Sequence, residues 1–132
     1  MAMPWLVMCL LLGLVPLVWA DEVVPLAQLF DHPEQFHEET VRVRGTVSRL
    51  ELHVDETQLF IDFVFELQKG GKTLVVYGRH DRTRGDIQLT TGRDVEVLGV
   101  FWHERYANGY RLKNNLEALT VMFYPPLTPD RT

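Results

Sequence analysis

The side chains of this sequence best suited to metal chemistry are its histidines, which are His32, His37, His53, His80 and His103. Carboxylates lie close to these histidines in the sequence, among them Asp55 near His53, Asp81 beside His80 and Glu104 beside His103. No two histidines have the His-x-His or His-x-x-x-His spacing that places two zinc ligands on one face of a strand or a helix. We therefore predict no metal ligand by position. A metal-binding protein that uses clustered histidines stays an alternative, and it requires distant residues to converge.

Nucleophilic catalysis has little support in the sequence. The one cysteine, Cys9, lies in an apolar N-terminal block, so the rest of the chain has no thiol nucleophile, disulfide or thiolate metal site. The sequence also contains no Gly-x-Ser-x-Gly motif and no glycine-rich phosphate loop. We expect a protein that is not an enzyme, with no catalytic residues and no cofactor.

The net charge of the chain indicates which class of partner is disfavoured. The formal net charge is −5 at pH 7, and every charged side chain lies after residue 20. Nucleic-acid affinity comes largely from neutralisation of phosphates by lysine and arginine. The acidity of the chain therefore disfavours a nucleic-acid partner.

Residues 1–20 form one apolar block that ends on Val18-Trp19-Ala20. Its length and its small-residue end are typical of a secretory signal peptide. The alternative is an uncleaved N-terminal anchor, since about 20 apolar residues can span a bilayer. We expect a periplasmic or secreted protein, anchored to the membrane if the block is retained. The remaining residues are sufficient for one domain with its own core.

Residues 21–37 are predicted to form a short helix and a turn. Pro25 suits a first helical position, and Pro33 disfavours helix at the residue before it. One helical face, which would cap the open end of a small barrel, consists of Leu26, Leu29 and Phe30.

From Thr40 the apolar residues alternate with polar ones, which predicts β-strands. The apolar side of the first strand consists of Val41, Val43, Gly45 and Val47, and it continues on even positions at Leu50, Leu52 and Val54. The phase slip near Ser48-Arg49 is what one extra residue in a β-bulge would produce.

Turn signals separate the other strands. The apolar side of the second strand consists of Leu59, Ile61, Phe63, Phe65 and Leu67. Gly70-Gly71 predicts a hairpin to a third strand at residues 73–77. Asn108-Gly109 predicts a hairpin between a fourth strand at 94–102 and a fifth that ends near residue 124, with a phase slip near Asn114-Asn115. The connection 78–93 contains one helical turn or none, and a Pro-rich tail occupies residues 125–132.

One strand pattern occurs twice. Val41-x-Val43-x-Gly45-x-Val47 recurs as Val95-x-Val97-x-Gly99-x-Phe101. A glycine in mid-strand weakens a flat strand but permits a sharp bend. We interpret the repeat as two barrel strands that both need a glycine at a sharp bend, not as a duplication.

This order of elements resembles the oligonucleotide/oligosaccharide-binding (OB) fold over residues 38–124. The first strand, the entry to the fourth at residues 89–95 and the closing stretch 112–118 are similar to strands of such domains. The resemblance implies an all-β, five-stranded OB-type Greek-key β-barrel with a short N-terminal helix, preceded by a signal peptide. A resemblance at the level of the fold says little about the ligand.

The resemblance also implies where a ligand would bind. In OB barrels, ligands contact strands two and three and the loops that join strands one to two and four to five. Aromatic rings and cations there bind single strands or sugars. The candidate ligand-binding residues on those elements are Arg44, Phe60, Tyr77, Arg79, Trp102, Tyr106, Tyr110 and Arg111. For each aromatic residue, the alternative is that its ring fills the barrel or packs the hairpin.

We therefore expect an exported, non-catalytic OB-fold binding module that engages a protein or another envelope component. One alternative is single-stranded nucleic-acid or oligosaccharide binding through the aromatic face, and another is the metal-binding protein described above. A membrane is an expected partner only if the N-terminal block is retained.

Overall fold

A computed structural model describes residues 22–107 and 109–125 of the 132-residue chain. The predicted signal peptide at residues 1–20 and most of the predicted tail, from residue 126, lie outside the described residues. Within the described ranges, no helix is both long enough and apolar enough to cross a membrane.

From residue 22 onward, two short helices precede five strands. The elements are α1 (Leu26–Asp31), α2 (Pro33–Phe36), β1 (Thr40–Val54), β2 (Phe60–Lys69), β3 (Lys72–Asp81), a 3-10 turn (Arg82–Arg84), β4 (Asp94–Ala107) and β5 (Tyr110–Phe123). The third and fourth strands are longer than the sequence pattern predicted, because both continue past their apolar stretches as the edges of extended hairpins.

The strands close into a barrel in the order β1-β2-β3-β5-β4. All neighbouring pairs are antiparallel except β3 and β5, which run parallel. This order, with a parallel contact between the third and the last strand, is OB-like and confirms the predicted fold at that level.

Alternating side chains fill the barrel, as the period-two pattern requires. The buried strand residues are Val41, Val43, Val47, Phe63, Phe65, Leu67, Leu74, Val76, Val95, Val97, Phe101 and Leu116. Leu52 and Val54 were expected to continue this set, but they are 48% and 46% exposed. The expectation was wrong for these two residues, because the second half of β1 extends past the end of the barrel with β2.

The N-terminal helices close one end of the barrel. Leu26, Leu29 and Phe36 are buried, and Phe30 packs partly against the same core. Pro33 separates α1 from α2, so the predicted turn is instead a second short helix. The amide of Glu38 donates a 2.7 Å hydrogen bond to the carbonyl of Phe101, which ties this segment to β4.

A β-bulge divides the first strand where the phase slip predicted one. The register with β2 shifts between Ser48 and Glu51, and Arg49 has a φ of 51°. The second slip lies elsewhere than predicted. Leu98 pairs with Thr120 and Gly99 with Ala118, so the extra residue on β5 is residue 119 and not Asn114-Asn115. Asn114 does have a positive φ of 50°, but the register with β4 is continuous across it.

The two mid-strand glycines allow neighbouring backbones to approach closely. A Cβ atom on Gly45 would lie 2.8 Å from the carbonyl oxygen of Gln68, and one on Gly99 would lie 2.5 Å from that of Glu117. Real side chains do not tolerate such distances from backbone atoms, so glycine is required at both positions.

The connection between β3 and β4 covers the other end of the barrel. No α-helix forms in residues 82–93, all of which are described, and the segment contains only the 3-10 turn. Its apolar side chains Ile87 and Leu89 pack partly against the core. Reciprocal backbone hydrogen bonds of 2.8 and 2.9 Å attach Gly92 and Arg93 to Val47.

Candidate ligand-binding face

The outer surface of β2, β3 and β5 carries several of the predicted site residues. Val64 pairs with Tyr77, and Tyr77 pairs with Glu117 on β5. Two positions further along β3, Arg79 pairs with Asp62. Because alternate residues of a strand share a face, Tyr77 and Arg79 project from the same side of β3. We call this surface, together with the β4–β5 side chains that contact it, the outer face.

Arg105 connects Tyr77 to Trp102 on the outer face. Its Nη1 atom donates hydrogen bonds of 2.7 Å to the Tyr77 hydroxyl and 3.1 Å to a carboxylate oxygen of Glu117. Its guanidinium carbon lies 4.5 Å from the centre of the Trp102 ring, which is the geometry of a cation–π contact. Partial burial raises the pKa of the Tyr77 phenol, so the hydroxyl stays protonated.

Sequence reasoning missed Arg105. Strict alternation along β4 places Trp102 and Arg105 on opposite faces, because they are three residues apart. In the structure the β4–β5 ribbon extends beyond the barrel, and the contact of Arg105 with Tyr77 shows that the ribbon curls over β3. Two-stranded ribbons twist more than wide sheets, and this twist allows the long Arg105 side chain to reach the neighbouring face.

A second aromatic–cation pair lies at the far end of β2. Arg79 donates two hydrogen bonds to the carboxylate of Asp62, from Nε at 2.7 Å and from Nη2 at 3.3 Å. Its guanidinium carbon lies 5.1 Å from the centre of the Phe60 ring. The hydrogen bond from Arg79 lowers the pKa of Asp62, so this pair stays ionic.

The tip of the β4–β5 ribbon presents the most exposed aromatic side chains of the predicted set. Tyr106 and Tyr110 are each 73% exposed. Tyr106 pairs across the ribbon with Arg111, and the Arg111 side chain forms an ion pair with Glu104. These tyrosines are not needed to fill the barrel, which leaves them available to a partner.

Arg44 lies apart from the other predicted site residues. Its Nε atom donates a 2.9 Å hydrogen bond to Glu96 on β4, and its guanidinium carbon lies 3.8 Å from the centre of the Tyr124 ring. Arg42 donates to the other oxygen of Glu96 at 2.9 Å. Glu96 and its two arginines therefore form a structural ion cluster across β1 and β4.

Two of the histidines converge beside Trp102. The rings of His37 and His103 lie 6.5 Å apart, and the His37 ring meets that of Trp102 edge-on at 5.9 Å. The amide of His103 donates a 3.1 Å hydrogen bond to Nδ1 of His37, which occupies that ring atom. Among the described residues, no three histidines, cysteines or carboxylates are arranged to hold a metal ion.

Buried polar atoms without partners lie where Trp102 pairs with Asn115. Asn115 is only 3% exposed, and neither its amide nitrogen nor its side-chain oxygen has a hydrogen-bond partner in the described part of the chain. Nε1 of Trp102 is likewise buried without a partner there. Such groups destabilise a fold, and functional sites are where natural proteins commonly retain them.

The outer face is balanced in charge. Three arginines of this face each form an ion pair with a carboxylate, in the pairs Arg79–Asp62, Arg105–Glu117 and Arg111–Glu104. A polyanion would have to compete with these carboxylates. The arrangement is suited to a partner that offers apolar groups, peptide groups or hydroxyls.

Comparison with known proteins gives only structural likenesses. No family model matches the chain, and no curated protein matches its sequence. An enzyme assigned as an aspartyl-tRNA synthetase from Leishmania major superposes with a TM-score of 0.51 at 17% identity, over 76% of this chain and 20% of that one. RecG bound to a three-way DNA junction superposes with a TM-score of 0.51 at 14% identity, over 79% of this chain and 12% of RecG.

A further likeness is the second OB-fold domain of replication protein A from Methanococcus maripaludis, with a TM-score of 0.47 at 6% identity, over 70% of this chain and 91% of that one. This chain spans only 20% of the length of the synthetase and 12% of the length of RecG. At these identities the likenesses concern the fold alone, and the fold of this chain is OB-like.

Proposed function

We propose that this protein is a non-catalytic OB-like binding module that engages a protein partner through its outer face. The observation that carries the proposal is the charge balance of that face, on which three arginines are each paired with a carboxylate. The exposed tyrosines at the ribbon tip supply contact area, since tyrosine is enriched in protein interfaces. In this proposal Tyr106 and Tyr110 are the main contacts.

The proposal places the module outside the cytoplasm. Support comes from the apolar block at residues 1–20, which has the length and the end of a secretory signal. The partner is then a protein or another component of the cell envelope.

Single-stranded nucleic acid or an oligosaccharide is the alternative ligand. Two observations favour it, namely the Tyr77 and Trp102 rings on the face that OB domains use and the likeness to RecG, which is bound to a DNA junction. The net charge of −5 and the paired arginines weigh against the nucleic acid but not against the sugar.

The proposal is tested by recovering the tagged full chain from the envelope fraction with its partner. In a Tyr106→Ser/Tyr110→Ser double variant, we expect recovery of the partner to fall by about tenfold or more, as the loss of interface tyrosines usually costs. Tyr124→Ser is the matched control, because Tyr124 is 39% exposed but lies beside Arg44. The proposal would be refuted if this chain were recovered without a partner. It would also be refuted if the double variant and Tyr124→Ser recovered equal amounts of the partner.

A further inference from the structure

A cavity of about 520 Å³ lies between β3 and β5, at the end of the barrel where β4 begins. The two strands pair over only three positions, and their ladder ends at Tyr77 and Glu117. The extra residue on β5, Leu119, lies two positions after Glu117, and a bulge bends its strand. The divergence of β3 and β5 therefore opens the cavity.

The cavity follows the edge of β5. Six consecutive residues of that strand, 118–123, line it. Because successive side chains of a strand point to opposite faces, a cavity that touches all of them lies alongside the backbone. In the described part of the chain, no backbone hydrogen bond joins the connection 85–93 to this edge.

The register with β4 shows which peptide groups face the cavity. The amide of Tyr124 donates to the carbonyl of Asp94, and bonded pairs alternate along an antiparallel ladder. Met122 and Thr120 are therefore also bonded to β4. The peptide groups of Val121 and Phe123 point away from β4, into the cavity.

Apolar side chains lie along this edge, and residues 86–89 of the connection between β3 and β4 also line the cavity. Phe63 and Val95 are buried at the floor, and Val121 packs partly against the same core. Leu119 and Met122 are 58% and 50% exposed on the strand itself. A ligand in the cavity would thus meet peptide groups that have no backbone partner among the described residues, and apolar surface at strand spacing.

We propose that an extended peptide segment of a partner protein adds to β5 at residues 118–123. Such a strand would pair with the peptide groups of Val121 and Phe123 and place alternate apolar side chains against Phe63. This is a second site, which shares Arg79 with the outer face but does not involve Tyr106 or Tyr110. A purely apolar small ligand would fill the cavity but leave the two peptide groups unpaired.

The test is a selection of random twelve-residue peptides displayed on phage against the full chain. A selected peptide is then synthesised, and amide hydrogen exchange is measured with and without it. We expect slower exchange at Val121 and Phe123 in the complex. Val121→Pro removes one of these donors without removing a bond to β4, and we expect it to weaken binding about tenfold. Tyr106→Ser/Tyr110→Ser should leave binding of this peptide unchanged.

If Val121→Pro does not fold, amide hydrogen exchange of the unaltered protein still tests whether the peptide pairs with Val121 and Phe123. Failure to enrich any peptide would overturn the proposal, as would a peptide that protects amides elsewhere. Saturable binding of an anilinonaphthalene sulfonate dye in the cavity, with no peptide selected, would assign the cavity to a small amphiphile instead.

Discussion

The guanidinium carbon of Arg105 lies 4.5 Å from the centre of the Trp102 ring, so the two residues form a cation–π pair on the surface of the barrel. The same guanidinium group contacts Tyr77 and Glu117 on two further strands. One arginine therefore connects β3, β4 and β5 at the point where the ribbon curls over the sheet. Its guanidinium group also covers the Trp102 ring in the outer face.

Arg105→Gln should release the Trp102 ring. We expect the emission of Trp102 to shift to longer wavelength, because water replaces the guanidinium group, and the free energy of unfolding to fall by about 0.5–2 kcal/mol. Fluorescence and urea unfolding measure both effects in a protein that carries Trp5→Phe and Trp19→Phe, in which Trp102 is the only tryptophan. Arg93→Gln is the control, since Arg93 covers the ring of Phe123 at 4.2 Å. Equal emission from both variants would contradict the contact.

Glu96 should make stability depend on pH. Burial opposes ionisation of Glu96, but the hydrogen bonds from Arg42 and Arg44 outweigh it and hold its pKa below the ordinary 4.5. A lowered pKa stabilises the folded state above pH 4.5, and this contribution is lost as the pH falls through the folded pKa.

Glu96→Gln should therefore lower the free energy of unfolding by about 1–3 kcal/mol at neutral pH. The difference from the unaltered protein should shrink in acid, because the protonated carboxyl group no longer contributes. Urea unfolding between pH 7 and pH 3 measures this. A difference that stays constant with pH would show that Glu96 acts through packing and not through its charge.

Gly99→Ala should lower the free energy of unfolding strongly, although it adds only one methyl group. The new Cβ atom would meet the Glu117 carbonyl oxygen at 2.5 Å, and a backbone atom in a sheet cannot move aside. We expect a loss of about 2–3 kcal/mol, at the upper end of what overpacking costs. Gly70→Ala is the comparison, because its φ is +58° but nothing lies within 4 Å, so only about 1 kcal/mol of conformational strain is expected. Thermal or urea unfolding of both variants shows which one is less stable. If Gly70→Ala were the less stable variant, the close approach of Gly99 to the Glu117 backbone would be refuted.

Asn115→Leu should stabilise the protein. The substitution removes two buried polar atoms that have no partner in the described residues, and their burial costs about 1–3 kcal/mol. Its neighbour provides the contrast, since the Asn114 side chain contacts Nδ1 of His103 at 2.9 Å and its φ is 50°. Asn114→Leu should therefore destabilise. If Asn115→Leu were destabilised by a similar amount, the Asn115 side chain would have a structural partner after all.

Local features of the fold were predictable because single residue types determine them. Gly70 and Gly71 both have a positive φ, as a tight two-residue hairpin requires, and the glycine pair identified that turn. The break in periodicity near Arg49 identified the bulge in β1, and Pro33 marked a helix boundary. Each signal depends on the residue itself and its immediate neighbours.

Features that depend on tertiary geometry were not predictable in this way. The phase slip on β5 was expected near Asn114-Asn115, but the extra residue is Leu119. Arg105 was missed because its contact with Tyr77 depends on the curvature of the ribbon. The cavity beside β5 results from the divergence of β3 and β5, which cannot be read from residue spacing.

The measurement that tests the central claim most directly uses the emission of Trp102 in the single-tryptophan protein. The protein is titrated with the partner recovered from the envelope and, separately, with a single-stranded oligonucleotide at low and high salt. We predict a saturable change with the protein partner, lost in Tyr106→Ser/Tyr110→Ser, and no change with the oligonucleotide. A saturable response to the oligonucleotide that weakens steeply with salt, together with none to the protein, would contradict the account, because such salt dependence reports phosphate contacts.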